Sequence, residues 1–457
     1  MAADVQLKKN VLGFPSLFAI AVGIVVASTT LVSLGQGMGL GGYGFIWAMC
    51  IAFILMLFQA CTFSELAITM PRAGSVSSYT EIAMGHFLAI VSVISGYVIV
   101  QLLAAPAELC IAGLVAQTCF WPGLNPTVVS VVILVLLVIL NLLGVDLFAN
   151  FQILFTAVMI FTMALIGLGG TIGAGNPAVV MKFSPPPVTF TDAFALSALG
   201  VWLFIGTEFM CPMIEEAKNP RRDIPLAMMT GLAVILIIKI LYGIASVRYV
   251  AMEELAQSPI PHVLVAKAIF GTAGFYWVGI ASLCATASTV NTLIAAVPRM
   301  LYGMAHAGQV PSIFKYLHPR FRTPWVGIIL LSAGMLVQIL TSISSTQTIV
   351  VFIVASAFSW LLSYIIAHID CIILRFRYQE LERPFKTPGF PVPQILGIAG
   401  TVFIMVNIFP DPAVKRMIYA YAGWFLLGAA VYAFCWCQFK MKKGFFRPTP
   451  LEEALKE

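Results

Sequence analysis

Long apolar runs alternate with short polar segments along almost the whole chain of 457 residues. A helix needs about 20 mostly apolar residues to cross the hydrocarbon core of a bilayer. Runs of this kind recur twelve times, which predicts an all-α integral membrane protein with twelve transmembrane helices. Their approximate bounds are 14–38, 43–68, 86–118, 126–144, 149–173, 190–212, 225–249, 273–303, 325–343, 347–370, 392–409 and 416–438.

The polar segments that join the runs carry most of the charge, and they carry it unevenly. The longest of them, near 213–224, 250–272, 305–324 and 375–391, are predicted to be loops. If the N-terminus faces the cytoplasm, nineteen Lys and Arg lie in the inner segments and five in the outer segments. Lys239, within run seven, is the last of the 25 Lys and Arg in the chain. Loops that face the cytoplasm collect Lys and Arg. The asymmetry predicts a multi-pass protein of the plasma membrane with both termini in the cytoplasm.

Composition excludes several classes of protein. Hydrophobic residues make up 60% of the chain and charged residues 10%, whereas soluble domains average roughly 45–50% and about 25%. A soluble enzyme, a nucleic-acid-binding protein and a disordered chain are therefore excluded, and the lipid bilayer is an expected partner. Most of the nine cysteines lie within apolar runs, so we predict neither a disulfide framework nor a metal site, and we expect no cofactor.

Two of the runs carry polar interruptions at comparable places. The first run reads ASTT at 27–30, and the sixth reads GTE at 206–208. Interrupted helices at matching positions in two halves of a chain are typical of secondary transporters built from inverted repeats. Unwound backbone at such a break leaves amide groups free to bind an anionic group. For the first run alone, a Ser/Thr cluster bonded back to its own helix is the alternative.

The segment that follows the sixth run carries a long and specific motif. Residues 206–225 begin with GTE and end with EEAKNPRRDIP, which resembles the signature GFE…AEExKNPxRxIP of the amino acid–polyamine–organocation superfamily of permeases. Residues 298–311, PRMLYGMAHAGQVP, are similar to RxLYAMARDGxLP of that family. Residues 71–79, PRAGSVSSY, resemble its PxxGGxY loop, with a serine where the second glycine is usual. The resemblance covers roughly residues 10–410.

This resemblance implies the LeuT-type fold, in which two inverted repeats of five helices are followed by two further helices and helices 1 and 6 are discontinuous. The implied division of the chain is an N-terminal cytoplasmic segment 1–13, a first repeat 14–173, a second repeat 190–370, helices eleven and twelve over 392–438, and a cytoplasmic tail 439–457.

The resemblance also shows where this chain departs from the family. The family usually carries Gly-Ser-Gly at the break in helix 1, where backbone amides bind the substrate carboxylate, and residues 27–29 match it here with only the serine kept. Without the glycines, side chains crowd the place where the backbone approaches a substrate carboxylate. Some members hold a lysine in helix 5 whose ammonium replaces a bound sodium, and Met159 is expected at that position. The departures favour an exchanger, or a proton site elsewhere.

Candidate site residues lie at the two breaks and at the positions that the family implies. We expect the ring of Trp202 to close over the substrate and contact its ammonium group, with a packed tryptophan as the alternative. Glu208 and Glu108 are the candidate proton-coupling carboxylates, with structural hydrogen bonding as the alternative. Arg299 and the Lys218–Arg222 cluster are expected to form a charge network that closes the inner gate. For Asn291 and Ser356 the alternative is a hydrogen bond between packed helices. The predicted substrate-binding residues are Ala27, Ser28, Thr29, Thr30, Trp202, Ile205, Gly206, Asn291 and Ser356.

These features predict a secondary active transporter that moves an amino acid by alternating access, as a proton symporter or an exchanger, and they do not predict an enzyme. A transporter of a polyamine or an amino alcohol with the same fold is the alternative, because hydroxyl and carboxylate oxygens also accept hydrogen bonds from an amine. A membrane sensor that has lost transport is a third possibility, and the sequence shows no soluble signalling domain that would favour it. The expected partners are a small-molecule amino acid or amine, and H+.

Overall fold

The computed structural model describes residues 6–175, 196–341, 346–409 and 411–454. These residues are largely helical, and no β-strand forms among them. Parts of four predicted segments lie outside the described residues, namely 1–5, 190–195, 342–343 and 455–457.

The first apolar run forms two helices, α1 (Phe14–Val25) and α2 (Ser28–Gly41), whose axes are bent by 51°. The hydroxyl of Thr30 donates to the carbonyl oxygens of Val25 at 3.1 Å and Ala27 at 2.8 Å. A hydroxyl that takes such acceptors offers the backbone an alternative to the continuous helical ladder. The polar interruption therefore coincides with a real break.

Five more helices follow before residue 175. Pro126 begins one of them, because a proline is tolerated in the first helical turn, and the side chain of Asn125 accepts the Thr127 amide at 2.9 Å to cap it. A short helix also forms where the sequence indicated only a loop between runs two and three. The five are α3 (Gly44–Thr69), α4 (Val76–Ala83), α5 (His86–Cys119), α6 (Pro126–Leu142) and α7 (Val145–Ile172).

The sixth run is interrupted. Its described part forms the short helix α8 (Ser197–Trp202), a turn, and a 3-10 helix over Thr207–Glu216. Gly206 lies in the turn at φ 123°, a backbone conformation that favours glycine. The next helix, α9 (Pro220–Tyr249), begins at a proline. The prediction of a loop over 213–224 is therefore wrong for most of that stretch, because the 3-10 helix and α9 fill it.

The remaining described helices depart from the prediction mainly in length. The expected loop over 250–272 is wrong in part, since a short helix and the beginning of a 46-residue helix lie within it. That long helix turns at Gly271, where φ is 62°. The helices are α10 (Met252–Gln257), α11 (Pro261–His306), α12 (Trp325–Thr341), α13 (Thr346–Arg377), α14 (Val392–Val406), α15 (Pro412–Met441) and α16 (Leu451–Ala454).

The described part of the chain is that of a multi-pass membrane protein. Seven of its helices are long and apolar enough to cross a bilayer, and the bent pair α1–α2 makes an eighth if it is one span. Three shorter apolar helices are α6, α12 and α14. Many lipid-accessible positions carry large apolar side chains, for example Leu136 and Phe161.

The interior is built around α1. This helix packs against α7, α9 and α11, and also against the 3-10 helix that follows the break near Gly206. The two breaks therefore lie beside one another within the bundle. Buried polar and charged side chains are concentrated around them, and such groups are costly inside a membrane protein unless they are bonded. These side chains include Ser28, Glu108, Gln152, Glu208, Lys239 and Ser288.

Candidate substrate site

The break in α1–α2 presents backbone amides that already have an anionic partner. The Ser28 amide donates to Oε1 of Glu108 at 2.6 Å, and the Thr29 amide donates to Oε2 at 3.1 Å. The Thr286 hydroxyl donates to Oε1 at 3.1 Å. The N-terminus of a helix favours negative charge, since its first amides have no partner within the helix. Glu108 thus fills the anion-binding position at the start of α2.

The hydroxyls of the first break point in three directions. Ser28 donates to the carbonyl oxygen of Ser282 at 2.8 Å and so faces α11. Thr30 bonds back to its own helix segment, as described above. Thr29 alone turns its hydroxyl toward the second break, where it accepts the indole N–H of Trp202 at 3.3 Å. The alternative of a back-bonded Ser/Thr cluster therefore holds for Thr30 and not for its two neighbours.

A small cavity lies between the two breaks. Its walls are mostly apolar, and Glu108 is the one carboxylate among its lining residues. Six predicted site residues line it, and another six lining residues were not singled out in the sequence. The lining residues are Ile24, Ala27, Thr29, Thr30, Val100, Ala104, Glu108, Trp202, Ile205, Thr289, Leu293 and Trp360.

The second break is held by α13. The amide of Gly206 donates to the hydroxyl oxygen of Tyr364 at 3.2 Å. That hydroxyl donates to Oε2 of Glu208 at 2.7 Å, and the indole N–H of Trp360 donates to Oε1 at 2.8 Å. Glu208 is 1% exposed and does not line the cavity. Its surroundings are those of a structural acceptor that ties the break to α13.

Two tryptophans face one another at the cavity. The rings of Trp202 and Trp360 pack edge to face, with centroids 6.5 Å apart and planes at 85°. Aromatic faces attract a cation that lies over them, and the attraction grows when the cation is desolvated. Trp360 also bonds Glu208, so the second break and the cavity wall share this residue. Sequence reasoning missed it, because a tryptophan in an apolar run carries no distinctive pattern.

Asn291 and Ser356, predicted to bind substrate, are not among the residues that line the cavity. The side-chain amide of Asn291 donates to Oε1 of Gln152 at 2.9 Å and accepts from Asn141 at 2.7 Å. Ser356 donates to the carbonyl of Ile353 in its own helix at 2.7 Å. Both side chains are therefore engaged in helix packing. These contacts favour the alternative of interhelical packing, and a role of either residue in substrate binding stays a prediction.

Neutral side chains of α7 bind the middle of α1. Gln152 and Thr156 donate to the carbonyl oxygen of Ala19 at 3.2 Å and 3.0 Å, and Gln152 also donates to Ser288 at 2.8 Å. A Cβ on Gly23 would lie 2.2 Å from the Ser288 hydroxyl, so only glycine allows this close approach. Met159, the position at which the family implied a charged lysine, is buried in the same helix as Gln152 and Thr156.

Lys239 of α9 is a further residue that sequence reasoning left without a role. Its ammonium donates to the carbonyl oxygens of Val25 at 3.2 Å and Leu203 at 2.5 Å. These carbonyls lie at the C-terminal ends of α1 and α8. The side chain is fully buried and does not line the substrate cavity. A lysine inside an apolar run signals a function, but its backbone partners cannot be read from the sequence.

A buried ion pair lies at the far end of the 3-10 helix. Arg299 donates to both carboxylate oxygens of Glu216, at 2.6 Å and 3.1 Å. The N-terminal segment covers this region, since the Lys218 amide donates to the carbonyl of Leu12 at 2.8 Å. Arg221, in contrast, approaches Glu382 only at 3.9 Å on the exposed surface. Of the predicted charge network, Arg299 is the member with a buried ionic partner.

Comparison with known proteins gives consistent results. A family model described as "Amino acid permease" matches residues 12–430. The branched-chain amino acid permease BcaP of Bacillus subtilis (strain 168) is 23% identical over 453 residues, covering 93% of this chain and 92% of its own length. The serine/threonine exchanger SteT of the same organism is 24% identical over 414 residues, covering 88% and 91%.

A human transporter and a solved structure match as well. The b(0,+)-type amino acid transporter 1 of Homo sapiens is 24% identical over 443 residues, covering 94% of this chain and 88% of its own. Among solved structures, a substrate-bound outward-open state of a Na+-coupled sialic acid symporter aligns with a TM-score of 0.57 at 12% identity. That alignment covers 90% of this chain and 93% of the symporter, and it shows a shared fold.

Proposed function

The chain belongs to the amino acid permease family within the amino acid–polyamine–organocation superfamily, and from this premise we propose that its substrate binds in the cavity between the two helix breaks. The family consists of secondary transporters of amino acids, which are not enzymes, and this chain is one of them. The observation that carries the proposal is the cavity itself, where a carboxylate, two tryptophans and the backbone of both breaks converge.

We assign the substrate ammonium to the space between Glu108 and the two tryptophans. Glu108 supplies an oxygen acceptor for the ammonium at the cavity wall, and Trp202 supplies an aromatic face. The substrate carboxylate needs the amides of Ser28 and Thr29, which are the partly positive groups at the start of α2. Because Glu108 already accepts from both amides, an amino acid must displace it.

Displacement of Glu108 provides the coupling step. A protonated carboxyl group accepts amide hydrogen bonds less strongly than a carboxylate does, so protonation of Glu108 eases its release. Uptake of an amino acid is then expected to increase as the pH falls on the side from which substrate enters. Proton symport follows if the proton travels with the substrate, and exchange follows if a second substrate molecule resets the site.

The whole-chain architecture is proposed as twelve spans with two inverted repeats of five helices and two added helices. The bent pair α1–α2 and the interrupted α8 segment are the first and sixth spans in this arrangement, and α6, α12 and α14 are spans despite their shorter length. With both termini cytoplasmic in a plasma membrane, the Arg299–Glu216 pair lies on the inner side and closes the inner gate. Substrate release then requires that this pair separate.

A second candidate function, transport of an amine without a carboxylate, is favoured by one observation. Glu108 satisfies both break amides by itself, so an amine need not displace it and can donate to it directly. A polyamine or amino alcohol would therefore leave the first break as it stands in this structure.

Transport into proteoliposomes tests the proposal. A thermal-shift screen of amino acids and amines on the purified protein first identifies the substrate, and the protein is then reconstituted. Uptake of the labelled substrate is then measured with and without internal substrate, and with and without an inward proton gradient. A need for internal substrate indicates exchange, whereas stimulation by the gradient indicates symport. If the substrate binds but uptake is absent in all of these conditions, the result would contradict transport and favour a sensor.

A further inference from the structure

We propose that Lys239 is a positioning residue for transport, whose ammonium joins the C-terminal ends of the two interrupted helices and sets the geometry of the substrate cavity. In this role a side chain of the protein does what a cation bound from solution would otherwise do. The inference rests on the proposed function, because it concerns how the same two breaks are held during transport.

The geometry at Lys239 carries the proposal. Its ammonium is within hydrogen-bonding distance of two carbonyls, at 3.2 Å from Val25 and 2.5 Å from Leu203. Val25 is the last residue of α1, and Leu203 directly follows α8. One side chain from a third helix therefore connects the ends of both broken helices. Within the described residues, none of the ion pairs includes Lys239.

Electrostatics favour a cation at this place. The C-terminal end of a helix carries a partial negative charge, because its last carbonyls have no partner within the helix. The two ends converge here, and their fields add at the ammonium. In transporters with discontinuous helices, such carbonyl ends commonly coordinate the coupling cation. The remaining surroundings are apolar, including Ile160 and Met163 beside a second small cavity.

Lys239 acts on the substrate site only through the backbone. It does not line the substrate cavity, but the residue two positions after each of its carbonyl partners does. Ala27 follows Val25 in this way, and Ile205 follows Leu203. When the two breaks move apart during alternating access, the ammonium must give up at least one carbonyl. The maximal rate of transport should therefore depend on Lys239 more strongly than the half-saturating substrate concentration does.

Substitution combined with chemical rescue tests the proposal in reconstituted protein. Lys239→Met keeps much of the volume and removes the charge. Lys239→Ala removes both and leaves space beside the two carbonyls for a small external cation. Lys267→Ala is the matched control, because Lys267 is an exposed lysine outside this region. Correct folding of each variant is checked by the thermal shift that the substrate induces.

The expected results differ for each protein. Wild-type transport proceeds equally well in Na+, K+ or choline, since the cation is supplied by the chain. Lys239→Met transports at a rate that is lower by roughly tenfold or more, because the ends of the two helices lose hydrogen bonds from a charged donor. Lys239→Ala is similarly slow, and methylammonium or Na+ in the bath restores its rate in a dose-dependent manner. Lys267→Ala behaves as wild type.

Three results would overturn the proposal. The first is wild-type speed in Lys239→Met, and the second is a folded, substrate-binding Lys239→Ala that neither methylammonium nor Na+ restores. The third is a requirement of the wild-type protein for Na+. These outcomes are distinct from failure of the proposed function, because in that case the wild-type protein itself would not transport.

Discussion

The two helix breaks are held in opposite ways. At the first break the backbone amides are donors, and their acceptor Glu108 belongs to the wall of the cavity. At the second break the carboxylate of Glu208 is the acceptor, and its donors Trp360 and Tyr364 both come from α13. A ligand can reach and replace the first set of bonds, whereas Glu208, the acceptor of the second set, does not line the cavity. The comparison supports the proposal that the first break responds to substrate and the second break anchors the structure.

Glu208→Ala should give the largest effect, and it should be on stability. The substitution leaves the buried N–H of Trp360 and O–H of Tyr364 without their acceptor. Each unsatisfied buried donor costs about 1–3 kcal/mol, so a loss of about 2–6 kcal/mol is expected. Thermal unfolding in detergent measures it. Glu108→Ala is the paired variant and should unfold close to wild type, since water or substrate in the cavity can reach the freed amides. If both variants lose the same free energy of unfolding, the proposed difference between the two breaks is wrong.

Trp202→Ala should reduce transport while the protein still folds. A desolvated cation–π contact is worth about 2 kcal/mol, which corresponds to roughly a tenfold or larger loss of apparent affinity. Uptake at several substrate concentrations measures it. Trp424→Ala serves as the control, because Trp424 is 73% exposed on the outer surface of the bundle. Wild-type affinity in the Trp202 variant would show that this ring only packs.

Thr29→Val should have a smaller effect on the apparent affinity for substrate, by changing the contact between the two breaks. The hydroxyl of Thr29 is the acceptor for the indole N–H of Trp202, at 3.3 Å. Its removal frees the ring to reorient and should cost about 1 kcal/mol, or roughly a fivefold change in apparent affinity. Thr30→Val is the control that retains Thr29. If the Thr30 variant loses more affinity than the Thr29 variant, the break depends on back-bonding to α1 and not on the contact between the breaks.

The sequence was informative where a polar group interrupts an apolar pattern. Such groups marked the break at 27–30, the turn at Gly206, and the carboxylates Glu108 and Glu208, because each is costly in a membrane unless it has a partner. The break at 27–30 and the turn at Gly206 are present as backbone features in the structure. The functional roles of the residues around them remain predictions.

The partners of these groups could not be predicted in the same way. Lys239 bonds to backbone carbonyls, which every residue possesses, so no sequence pattern identifies them. Trp360 and Tyr364 are ordinary members of an apolar run until the fold brings α13 beside the second break. Asn291 was placed in the cavity because it is polar, but its side chain faces Asn141 and Gln152 instead. Side-chain direction depends on packing that the apolar pattern does not encode.

The occupation of the first-break amides by Glu108 is the central claim, and one competition measurement tests it directly. An amino acid and its methyl ester share the ammonium group and the side chain, but only the amino acid carries a carboxylate. Their ability to displace a labelled substrate is compared in the wild-type protein and in Glu108→Ala, with Thr286→Val as a control that retains the carboxylate. We predict that Glu108→Ala shifts the preference toward the amino acid by roughly tenfold, since freed amides bind a carboxylate through charge-assisted hydrogen bonds. An unchanged ratio, or a shift toward the ester, would contradict the account.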